Sequence, residues 1–239
     1  MLLARRVREH HWAIFPHWEK GKAVCACSCA TTAAFSGITA SWLRSREQAV
    51  AVERMTGREG AGTRYQAEGH RHPTLEVRLT PEHLAVELIV APSAWWDQRN
   101  IIGKLSIARH QQALIDVIRR LPDDLRVGFW EGVHLSDTQA TLRQLLRGGR
   151  LLDWLGTFGD GQDWLRVGAW YPFEAYAPDV LGEQGNPLMS EHIVGELFAR
   201  MSALYSLYTF MVWTSNNNFH SFYTGRTLSP GSTGRDRLN

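Results

Sequence analysis

The chain has 239 residues, with 26 Lys and Arg against 24 Asp and Glu, so its formal net charge is only +2. With 44% hydrophobic and 21% charged residues it is too apolar for a disordered chain, and its Gly and Pro are too sparse for a collagen-like or low-complexity one. Balanced charge argues against a broad electrostatic surface for duplex nucleic acid. The cations are almost all Arg, since Lys occurs only as Lys20, Lys22 and Lys104, a bias that a GC-rich genome accounts for.

Residues 1–34 read as an irregular N-terminal extension with weak apolar periodicity. Basic residues precede His10 without an apolar run, so no secretory signal is expected and the reading is cytoplasmic. Cys25, Cys27 and Cys29 are odd in number and clustered, which is not a disulfide framework. On a strand their spacing turns all three to one side, and zinc is the metal such thiols take, with His10, His11 or His17 to complete the set. Structural zinc sites use a distant second Cys pair, which this chain lacks, so no cofactor is predicted.

A single α+β domain is expected over 35–225. Phe35 to Met55 reads as one helix with Phe35, Ile38, Trp42, Ala49 and Val52 on a face. Thr56 to His72, with four glycines, reads as a linker. Leu75, Val77 and Leu79 alternate with Glu76 and Arg78, and Leu84, Val86, Leu88 and Val90 follow in the same period. That predicts a hairpin turning at Thr80–His83. A long helix from Asp97 to Arg120 comes next, carrying Ile101, Leu105, Ile115 and Ile118.

Leu125, Val127 and Phe129 mark a third strand. Ser136 with Gln139 has capping-box spacing before the helix of Leu142, Leu145 and Leu146, and Gly148 can end that helix. Leu165, Val167, Ala169 and Tyr171 mark a fourth strand. Tyr176 to Pro187 is a connection, and Ser190 opens a last helix striped with Ile193, Leu197, Met201, Leu204, Tyr208 and Met211. It is too interrupted to cross a membrane. Residues 226–239 read as a disordered tail. The expected architecture is therefore a mostly antiparallel four-stranded sheet with helices on one face.

The third and fourth strands share the pattern R-V-G-x-W, at Arg126–Trp130 and Arg166–Trp170. Alternation puts Arg, Gly and Trp opposite the apolar set, with Glu76, Arg78 and Glu87 on the same side. Glycine admits close approach, and indoles offer flat area with an N–H. This open face is the candidate partner-binding surface: Trp130, Trp170, Arg126, Arg166, Arg78, Glu76 and Glu87. The partner would be a protein, a second copy of the chain or a single-stranded nucleic acid.

Two alternatives carry their own residues. Glu131, His134 and Glu174 lie after the third and fourth strands, where a hydrolase could pair a base with its orienter. A metal-stabilised assembly subunit would use the Cys25–Cys29 segment. No Walker motif, dinucleotide loop or G-x-S-x-G occurs.

Some of these pieces carry a resemblance: His83-Leu84 entering a strand, Leu114 to Asp123 closing a helix in Leu-Pro-Asp, Gly132-Val133-His134, and Leu204-Tyr205 with Leu207-Tyr208. From His83 onward the layout resembles the uncharacterised bacterial YktB-like family. The resemblance implies an α+β fold with an exposed sheet face. It supplies no catalytic residues and has no place for residues 1–72.

Overall fold

The computed structural model describes residues 2–16, 24–28, 35–55, 70–131, 139–176, 188 and 192–219. In chain order the elements are α1 (Leu2–Glu9), β1 (Phe15–Pro16), β2 (Val24–Ser28), β3 (Phe35–Leu43), α2 (Arg46–Met55), β4 (Thr74–Leu79) and β5 (His83–Val90). Then come α3 (Trp95–Leu105), α4 (Ala108–Arg119), β6 (Arg126–Phe129), β7 (Ala140–Thr141), α5 (Leu142–Arg147), α6 (Leu151–Leu155), β8 (Leu165–Pro172) and α7 (His192–Met211).

The fold is α+β. One antiparallel sheet runs in the order β1-β3-β4-β5-β8-β6-β7, and β2 also pairs with β3, so eight strands replace the four expected. The last strand, β8, lies between β5 and β6 in the middle of the sheet. Helix α7 packs on β4, β5 and β8 and supports α1, α3 and α4. Between α7 and the sheet, Met201, Leu204, Leu207 and Met211 meet Leu75, Leu84, Val86, Leu88, Val167 and Ala169, all buried. Among the described residues, no helix is long and apolar enough to cross a membrane.

The single helix expected over 35–55 is corrected to strand β3 followed by α2. Ile38, Ala40 and Trp42 alternate with Gly37, Thr39 and Ser41, a period-2 pattern in residues that suit a pleated surface, and this overrides the looser helical match. Ala49 and Val52 are the buried face of α2 alone. The long helix over 97–120 is broken at Ile107, whose backbone is extended (φ −117°, ψ 117°), while the Ser106 hydroxyl donates to the Gly103 carbonyl at 2.8 Å. The capping box belongs to Thr141 and Gln144, five residues beyond the expected pair: the Thr141 hydroxyl accepts the Gln144 amide at 3.1 Å, and Gln144 accepts the Thr141 amide at 3.2 Å. Gln139 precedes β7, and Ser136 lies outside the described residues.

Helix α3 has a second, polar buried side. Asp97, Gln98, Asn100 and Lys104 are all buried. Three of them bind the turn after α7. Asp97 accepts the Trp213 amide at 2.7 Å, Asn100 donates to the Met211 carbonyl at 3.1 Å, and Lys104 donates to the Phe210 carbonyl and the Asn217 side-chain oxygen, both at 2.5 Å. Asn217 in turn donates to the Thr209 and Val212 carbonyls at 2.7 and 2.6 Å. The free carbonyls that every helix leaves at its C-terminus are thus met by side chains of α3 and of the turn itself. At the other end of the chain, the Trp12 ring stacks between Phe198 (5.0 Å) and Tyr205 (4.7 Å) and fastens the N-terminal segment to α7.

Candidate interaction site

The strand register assembles the polar side of the sheet. Ser41, Glu76, Glu87, Gly168 and Arg126 form one row across β3, β4, β5, β8 and β6. Thr39, Arg78, Ala85 and Trp170 form the next, and Ile89, Arg166 and Gly128 flank the first on its other side. Six of the seven expected partner-binding residues therefore belong to these rows, and Trp130 follows β6 directly.

The face is not open, and this corrects the expectation. Glu76, Arg78, Glu87 and Arg166 are at most 4% exposed. Their charges are spent on one another. Arg166 forks onto Glu87, Nε to Oε2 at 2.9 Å and a terminal nitrogen to Oε1 at 2.6 Å. Arg78 donates to the same Oε1 and lies 3.7 Å from Glu76. Glu76 accepts from the Ser41 hydroxyl at 3.1 Å and sits 3.3 Å from His70 Nε2. Burial alone raises a carboxyl. For Glu76 the hydrogen bond and charge of His70, with Arg78 and Arg166 beyond, outweigh that and hold it down to about 2. Two carboxylates answer two guanidiniums, and neither Arg78 nor Arg166 is left to bind a partner's anion.

The glycines serve the chain itself. A Cβ on Gly168 would stand 2.5 Å from the Val86 carbonyl and 2.7 Å from the Glu87 Cβ. A Cβ on Gly128 would stand 2.4 Å from the Trp130 ring, which folds back over its own strand. From there Trp130 covers the Arg166 guanidinium (4.9 Å to the ring centroid) and meets Trp170 at 5.4 Å. The two indoles are half-buried, and Arg126 beside them is exposed. Trp130, Trp170 and Arg126 are what remains of the expected surface.

The other sequence candidates lie partly outside the described residues. Glu131 and Glu174 are exposed, and His134 lies outside the described residues. Cys25 and Cys27 take register positions opposite Thr39 and Gly37, and Cys29 lies outside the described residues. Among the described residues no group of three or more His, Cys, Asp or Glu is placed to hold a metal ion.

Sequence reasoning missed His70 and Ser41, which complete the shell of Glu76, and His83. The His83 imidazole is buried, with Nδ1 3.1 Å from the Thr80 hydroxyl and Nε2 without a hydrogen-bond partner. Burial first, then the Arg78 charge, pushes its pKa down, which favours the uncharged ring. The alternation in β3 could have placed Ser41 on the polar side. Nothing local announces His70, which comes just before β4.

No known protein-family model matches the chain, and a search of curated proteins finds no match.

Proposed function

We propose that this chain is a non-enzymatic interaction domain that meets a protein partner, or a second copy of itself, at the rim of its polar sheet face. Trp130 and Trp170 provide the contact area and Arg126 the charge. The observation that carries this reading is the half-buried indole pair beside an exposed guanidinium, above a floor whose own charges are already paired. Paired indoles with a neighbouring Arg have the composition of an energetically dominant contact patch. A single-stranded nucleic acid is the second reading, favoured by the same stacking surface.

The test is comparative capture. Wild-type protein and the Trp130→Ala/Trp170→Ala double variant are used as baits, with folding checked by thermal melting. Partners retained by the wild type and lost by a folded double variant support the reading. Identical retention by both baits removes it.

A further inference from the structure

The two R-V-G-x-W strands lie side by side, and their pairing is reciprocal. Arg126 stands opposite Gly168, Gly128 opposite Arg166, and Val127 opposite Val167 at the centre. Rotation by half a turn about that central pair exchanges β6 with β8, and so exchanges the next strand outward on each side. On the β8 side that strand is β5, where Ile89, Leu88 and Glu87 face Arg166, Val167 and Gly168. On the β6 side it is β7, where Thr141 and Ala140 face Arg126 and Val127. One residue further in the same register, Gln139 falls where Glu87 falls. The glycines agree, since the Glu87 Cα is 2.9 Å from a Cβ built on Gly168 and the Gln139 Cα is 3.6 Å from one built on Gly128.

The two halves differ at one chemical point. Arg166 has a carboxylate, Glu87, and is buried in a two-pronged ion pair. Its counterpart Arg126 has an amide, Gln139, where that carboxylate would be. Among the described residues the Arg126 side chain makes no ion pair, and it is exposed. The Gln139 side-chain oxygen is buried without a hydrogen-bond partner. One half of the motif thus completes its guanidinium internally, while the other leaves a solvent-facing fork with planar geometry suited to a carboxylate.

Resting on the interaction-domain reading, we infer that Arg126 is the receptor for a carboxylate supplied by an acidic segment of a protein partner, which reaches the guanidinium from its solvent-facing side. The commitment to a carboxylate comes from charge complementarity and from the internal copy of the same arrangement. Trp130 and Trp170 flank the contact.

The test uses the full chain and fluorescently labelled poly-L-glutamate, with binding read by anisotropy. Wild type binds, and Arg126→Ala weakens binding at least tenfold with little change in melting temperature. Gln139→Glu supplies the missing carboxylate from within, so it too weakens binding at least tenfold and raises the melting temperature. Absence of polyglutamate binding, or equal binding by Arg126→Ala, overturns the inference. Labelled oligo-dT is run in parallel. Arg126-dependent capture of oligo-dT without polyglutamate binding assigns the fork to phosphate and also overturns it. A partner lost by the double Trp variant but kept by Arg126→Ala sinks this inference and leaves the interaction-domain reading standing.

Discussion

Glu76 and Glu87 face each other directly across β4 and β5, both buried, and each is held by cations on the same side of the sheet. Like charges in such a pair repel unless cations lie between and beside them. Arg78 touches both, and Arg166 grips Glu87 from the far side. Glu87→Gln keeps the shape but strands two buried guanidiniums. Breaking a buried ion pair from one side costs about 3–5 kcal/mol. Urea denaturation of this variant is expected to show a loss of that order, whereas a change below about 1 kcal/mol would mean that the network is solvated and weak.

Acid should attack the same floor through Glu76. Its folded pKa, about 2, lies below the ordinary 4.5. Its contribution is therefore fully present above pH 4.5 and is lost as the pH falls toward 2. A stability profile between pH 6 and 2 should be shallower for Glu76→Gln than for wild type. Parallel profiles would remove Glu76 from the acid limb.

Lys104 gives a slope of the same sign at high pH. Burial lowers its pKa from 10.5 to about 8, with the Asp97 charge opposing. Between those values the unfolded chain binds more protons, so this group makes stability rise with pH from about 8 to 10.5. Relative to Lys104→Met, wild type should gain stability between pH 8 and 10. A flat difference between the two proteins would contradict a lowered pKa for this amine.

The glycines of the paired motif should separate cleanly. Gly168→Ala drives a methyl into the Val86 carbonyl and Glu87, in the sheet interior, and overpacking of that kind costs about 1–3 kcal/mol. Gly128→Ala meets a side chain instead, the Trp130 ring. It should displace the indole, erase the Trp130–Trp170 near-ultraviolet circular dichroism signal and spare most of the stability. Equal destabilisation by the two substitutions would show that Trp130 cannot move.

Asn217 holds the end of α7 with three donated hydrogen bonds and receives one from Lys104. Asn217→Ala should lower stability by about 0.5–1.5 kcal/mol, the net worth of a hydrogen bond lost at part-buried carbonyls. Hydrogen exchange should rise locally at Met211–Trp213. Unchanged exchange there would mean that the turn is held by its backbone alone.

Much of the sheet could be read from alternation alone. The β4–β5 hairpin, β6, β8 and the stripe of α7 each show one unbroken period, and their polar residues do share a side. The failures have physical causes. In β3, Gly, Ser and Thr blur the apolar contrast, so Ile38 and Trp42 also fit a helix. Burial of the polar side was not legible, because an isolated strand does not reveal that Arg166 will find Glu87, 79 positions earlier in the chain. Exposure was inferred from charge, and paired charges can be buried. The glycines looked like room for a partner until Trp130 and Glu87 were seen to fill it. The absent carboxylate at Gln139 becomes visible only once the register sets it beside Glu87.

The central place of β8 has a consequence for how the protein is made. As the chain leaves the ribosome, β3, β4 and β5 can pair at once, burying Glu87 against Arg78 alone. Arg166 is synthesised much later and must enter between two strands already present. Such distant pairing is slow and leaves strand edges unpaired meanwhile. The edges of β5 and β6 are thus the surfaces a nascent chain exposes longest, and a chaperone acting on this protein would be needed there until residue 172 has emerged.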